Sequence, residues 1–102
     1  MIPHIEEHRA ELEALCRRFQ VCRLEVFGSG ATGEAASEGS DLDFLVEFDP
    51  QAGPGYADRY FGLLEGLEAL FGQPVDLVVA SAIQNPYFRE SVERTKAMVY
   101  AA

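Results

Sequence analysis

Cysteines, cations and long apolar runs are all scarce in this chain, and each shortage closes off a class of function. The two cysteines, Cys16 and Cys22, have no metal-ligand spacing and are too few for a disulfide framework. They are therefore expected to be reduced, partly buried thiols. Eight basic residues stand against seventeen acidic ones, a formal net charge of −9. Gripping nucleic acid means neutralising phosphates with Lys and Arg, so direct nucleic-acid binding is not expected. No segment approaches eighteen consecutive apolar residues, and the opening MIPHIEEHRA has no apolar signal core. A soluble, cytoplasmic chain with no membrane role is the expectation. What remains is 102 residues, 48% hydrophobic and 25% charged, without a low-complexity tract. That suits one globular domain over 1–102, long enough to bury roughly 60–70% of its unfolded surface.

Hydrophobic spacing divides the chain into alternating elements. Residues 4–19 read as an amphipathic helix with Ile5, Leu12, Leu15, Cys16 and Phe19 near one stripe. VCRLEVF, residues 21–27, alternates as a strand and stops at Gly28. A glycine and serine loop follows, with a short helix expected through TGEAAS. DLDFLVEF, residues 41–48, is a second strand closed by the turn signal DPQAGPG. Residues 56–71 form a second amphipathic helix, in which Gly62 and Gly66 cost propensity and imply a close packing contact. PVDLVV is a third strand. Asn85 as N-cap with Pro86 at the first helical position opens a third helix, and VY near the end suits an edge strand. The fold class expected is α/β, in the α+β sense: a small mixed sheet with helices on one face, the other face left open.

Chemistry concentrates between Phe27 and Phe48. Strand side chains alternate faces, so Asp41 and Asp43 point one way while Leu42, Phe44, Val46 and Phe48 point the other. The second set is apolar throughout, which fixes the register and turns both aspartates away from the core. Two carboxylates about 7 Å apart along a strand repel unless solvated or bridged by a cation, and a hard divalent ion takes such a pair together with phosphate oxygens. Asp76 interrupts the third strand between Val75 and Leu77, where the apolar pattern predicts a buried position. If that strand lies beside the second, three carboxylates converge, enough for two metal ions or for one ion and a general base. Upstream, FGSGATG ends the first strand in a glycine turn that can bring backbone N–H groups close to an anion. It lacks the lysine of a P-loop and the spacing of a dinucleotide fingerprint.

Gly28-Ser29, then eleven residues, then Asp41-Leu42-Asp43, with Asp76 on a later strand, resembles the DNA polymerase β-type nucleotidyltransferase superfamily. The short length and the closing NPYFRESVERTKAMVY are similar to its minimal nucleotidyltransferase branch, whose members are often encoded beside a helical HEPN-domain protein as antitoxin beside toxin. The resemblance implies that Gly28, Ser29, Gly30 and Ser40 hold the nucleotide phosphates. It also implies that Asp41, Asp43 and Asp76 are the catalytic residues and ligate Mg²⁺, as two ions, with Asp76 helping to deprotonate the attacking hydroxyl. The reaction implied is transfer of AMP from ATP, with pyrophosphate leaving. The acceptor would be a tyrosine hydroxyl of a HEPN toxin held in a hetero-oligomer. One departure favours a different class, a module that neutralises its partner by stoichiometric binding: family members often carry an arginine where Gly30 and Thr32 stand here.

His4 and His8, spaced i, i+4, have no obvious third ligand and are expected to be solvated. Tyr56, Tyr60, Phe61, Tyr87, Phe88 and Tyr100 are expected to be mostly core, with exposure of Tyr60 or Phe61 marking a partner surface.

Overall fold

Two alternating strands make the centre of the sheet. In the computed structural model, which describes residues 3–28 and 42–102, β1 (Val21–Phe27) and β2 (Leu42–Phe48) pair antiparallel. β3 (Val75–Val79) lies parallel to β2, and β4 (Ala97–Ala101) runs antiparallel to β1, giving the order β3-β2-β1-β4. The expected mixed sheet is therefore present.

One face of the sheet carries the core. Leu24, Val26, Leu42, Phe44 and Val46 are fully buried there, together with Val21, Val75, Leu77 and Val99. A bulge between Val21 and Arg23 lets Val21 and Leu24 share this face although they are three residues apart. Among the described residues, α1 (Pro3–Glu7), α2 (Arg9–Arg18) and α3 (Tyr56–Phe71) cover it. The single helix expected over 4–19 is broken at His8, whose φ of −107° and ψ of 19° leave the helical range. The His8 ring bonds Glu11 at 2.9 Å and meets Phe71 edge-on, contacts that hold the break in place. Ile5, Leu12 and Cys16 still fall on one buried stripe. Burial pushes the Cys16 thiol up to about 12, so it stays protonated. Both cysteines are free, as expected.

α3 spans the residues its spacing predicts, and Gly72, at φ +66°, ends it with an N–H to Glu68 O bond of 2.8 Å. The close packing implied by its inner glycines is also there. A Cβ on Gly66 would sit 2.6 Å from Leu15 Cδ2, and one on Gly62 would run into the Phe19 ring. α2 and α3 thus approach each other closely where side chains are missing.

The reverse face is only partly open. α4 (Pro86–Thr95) begins at Asn85, whose Oδ1 accepts the N–H groups of Tyr87 at 2.9 Å and Phe88 at 3.3 Å. It lays Val92 against Phe27 and Leu45, with Val78, Ala80 and Ile83 around them. Phe27, Leu45 and Val78 alternate with the core positions of their strands, so α4 belongs to the opposite side from α2 and α3. Helices therefore occupy both faces, unequally.

Side chains from the core-side helices reach the sheet's two borders. On β3, the Val75 N–H donates to Glu68 Oε2 at 3.1 Å, and the Tyr60 hydroxyl donates to Leu77 O at 2.6 Å. On β4, Arg9 Nη1 donates to Val99 O at 2.9 Å. Among the described residues, no helix is long and apolar enough to cross a membrane.

Candidate functional site

Strand register assembles the carboxylates. The parallel β2–β3 pairing sets Asp43 directly beside Asp76, and the antiparallel β1–β2 pairing sets Phe27 opposite Asp43. Both aspartates leave the core face because Leu42, Phe44, Leu77 and Val75 claim it. Asp43 is half-buried and Asp76 exposed. The burial expected for Asp76 is thus corrected: β3 is a border strand, and the alternation that buries Val75 and Leu77 turns Asp76 to solvent. Its charge is felt locally. Burial first, and then the Asp76 and Tyr56 charges, lift the Tyr60 phenol above its ordinary range.

Gly28 closes the third side. It follows β1 at φ +67°, and a Cβ there would lie 3.0 Å from Asp43 Oδ2. A side chain at this position would be strained by the backbone and pressed onto the carboxylate, so glycine is what lets the strand end approach Asp43. The Gly28 N–H donates to Thr95 Oγ1 at 2.9 Å, which brings the C-terminal end of α4 to the same spot. Sequence reasoning missed Thr95, because a threonine in RTKAM carries no motif. Ser29, Gly30, Ser40 and Asp41, and the short helix expected through TGEAAS, lie outside the described residues.

The donor set suits a hard cation. Asp43 and Asp76 offer carboxylate oxygens on adjacent strands, as Mg²⁺ prefers. Among the described residues no group of three His, Cys, Asp or Glu is gathered to hold a metal; Asp41, the third acid expected at the site, lies outside them. The His8 ring is held by Glu11.

Further along the same face, a cavity of about 300 Å³ lies under α4, lined by Arg23, Glu25, Glu47, Arg89 and Lys96 over a floor of Leu45 and Val92. Its charges are matched internally. Lys96 Nζ lies 3.0 Å from Glu93 and 3.6 Å from the buried Glu25, and Arg23 lies 3.9 Å from Glu47. The Glu93 bond, foremost, raises the Lys96 ammonium above its usual range.

The aromatic residues differ from expectation. Tyr60 and Tyr100 pack partly against the core, but Phe61 is 58% exposed and Tyr87 82%, with Tyr56 and Phe88 also exposed. Phe88 meets Phe27 edge-on at 6.0 Å. Short α4 covers a narrow strip of sheet, which leaves its first-turn rings little to pack on. Phe61 and Tyr56 border a shallow apolar hollow with Leu77, Val79 and Ala82.

The model of a nucleotidyltransferase domain family matches residues 9–98. Over 78 residues the chain is 42% identical to a protein named protein adenylyltransferase MntA from Thermococcus cleftensis, covering 76% of this chain and 72% of that one. A solved structure provisionally described as a minimal nucleotidyltransferase superposes with a TM-score of 0.70 at 38% identity, covering 95% of both chains. The same fold recurs at 15% identity, with a TM-score of 0.64, in a complex of a tri-AMPylated Shewanella oneidensis HEPN toxin with an MNT antitoxin. That match covers 96% of this chain and 73% of the other.

Proposed function

The chain belongs to the nucleotidyltransferase domain family and is a nucleotidyltransferase, and from that premise we propose that it transfers AMP from ATP to a tyrosine hydroxyl of a HEPN-type partner, as the antitoxin of a toxin–antitoxin pair. The observation that carries this reading is the pairing of Asp43 with Asp76 beside a glycine turn that only an unsubstituted backbone can make. The 42% identical relative bears the name protein adenylyltransferase, and the fold is shared with an antitoxin in complex with an AMPylated HEPN toxin.

Asp43 and Asp76, with Asp41, would hold Mg²⁺, which supplies neutralisation of the phosphate charge and orientation of the phosphates. Gly28, Ser29, Gly30 and Ser40 would hold the phosphates, the residues after Gly28 through backbone N–H groups. In an acidic chain such groups attract an anion without cationic side chains. The acceptor oxygen attacks the α-phosphorus as its bond to pyrophosphate breaks, and Asp76, the exposed member of the pair, takes the hydroxyl proton. Positioning and charge neutralisation carry most of such a reaction. The net charge of −9 favours encounter with a basic partner.

The test mixes the chain with ATP, Mg²⁺ and the helical protein encoded beside it, and reads that protein's intact mass. A gain of one or more AMP units, absent with Asp43→Asn, is the expected outcome. A stable complex with a neutralised partner and no mass gain would replace the enzyme with a stoichiometric binder, the class favoured by the departure from the superfamily pattern at Gly30 and Thr32.

A further inference from the structure

We infer that Thr95 is a positioning residue for the nucleotide: its hydroxyl fixes the start of the glycine turn relative to Asp43. The inference rests on the function proposed above, because it acts on the turn assigned there to the phosphates. Gly28 sits in the left-handed region at φ +67°, with Asp43 Oδ2 3.0 Å from where a Cβ would be. Glycine reaches that conformation without strain but also leaves it readily, so an anchor on Gly28 decides how firmly it is held beside Asp43. The anchor is remote in sequence, since the Gly28 N–H bonds the hydroxyl of a residue 67 positions away.

The hydroxyl is oriented for this task. Thr95 Oγ1 donates its one proton back along α4 to Ser91 O at 3.2 Å, which leaves a lone pair for the Gly28 N–H at 2.9 Å. The helix is itself fixed on both sides of Thr95. Val92 is buried against Phe27 and Leu45, and Lys96 lies within 3.6 Å of buried Glu25. Phe88 completes a stripe at i, i+4 and i+7, meeting the Phe27 ring next to the turn. The end of α4 thus sets where Gly28 sits beside Asp43, and holding it there before binding spares part of the ordering cost of gripping phosphates.

Thr95→Val keeps the branched shape and removes the acceptor, whereas Thr95→Ser keeps the acceptor. Binding of a non-hydrolysable ATP analogue in Mg²⁺ is measured by titration calorimetry for wild type and both variants, alongside thermal melting of the free chains. We expect Thr95→Val to weaken analogue binding about tenfold, the order set by one lost hydrogen bond, with Thr95→Ser close to wild type. In transfer assays the loss should fall on KM for ATP more than on kcat. If Thr95→Val melts lower yet binds the analogue as wild type does, Thr95 is only structural and the inference fails. It fails equally if Thr95→Ser is as weak as Thr95→Val. Failure of the wild-type chain itself to bind the analogue would overturn the nucleotidyl-transfer reading, and this inference with it.

Discussion

The two faces of the sheet are built from the same strands and do opposite work. On the face beneath α2 and α3, every strand contributes aliphatic or aromatic side chains, and the fully buried set runs without a charge from Leu12 to Phe44 to Leu67. The reverse face mixes a small apolar cluster around Val92 with a buried glutamate, a charged cavity and, at one end, two aspartates side by side. Alternation with period two makes the division possible, because each residue that strengthens one face leaves its neighbour to the other. Stability can therefore be held on one side while the other tolerates adjacent like charges, an arrangement that costs folding energy unless a cation bridges them.

Substitutions on either face break this contrast if it is wrong. Asp43→Asn should lower AMP transfer on the order of 10³-fold while the urea midpoint stays at or slightly above wild type, as carboxylate repulsion is relieved. A lowered midpoint would mean that Asp43 serves the fold. Phe44→Ala, one residue away on the core side and stacked on Phe71, should cost about 3–5 kcal/mol. For a domain of this size that is a large share of total stability, and chemical denaturation would read it. Val92→Ala removes less from a smaller cluster and should cost about 1–2 kcal/mol, with α4 amides losing hydrogen-exchange protection before those of β2. Uniform loss across the chain would mean that the two faces unfold as one. The smallest effect is expected from Asn85→Ala, which removes an acceptor for two helix N–H groups and should cost about 1 kcal/mol by the same denaturation measurement.

Much of the core face is legible in residue spacing alone. α3 is bracketed by glycines and has an apolar repeat, β2 alternates plainly and β1 does so beyond its bulge, so their limits follow from spacing and breakers. The Asn85-Pro86 start of α4 is written in capping chemistry. Spacing fails where a tertiary neighbour decides. The break at His8 depends on Phe71 and Glu11, which no local pattern announces. VDLVV looks buried on both faces, but a border strand has only one covered, and Asp76 is exposed for that reason. Tyr87 and Phe88 resemble core residues in composition, yet they begin a short helix with little sheet beneath it. At the candidate site the pairing of Asp43 with Asp76 follows from alternation, conditional on strand order. Thr95 leaves no mark in the sequence, because its partner is a backbone N–H 67 positions away.

A four-stranded open sheet ends in two ragged margins, and such margins invite other extended chains to join them. Here Glu68 and Tyr60 occupy backbone groups along one margin and Arg9 occupies one on the other, each delivered from a helix already anchored in the core. The consequence is colloidal: edge-to-edge growth of the sheet would first have to displace bonds that the folded chain has already made, a barrier that adds to the mutual repulsion of its acidic copies.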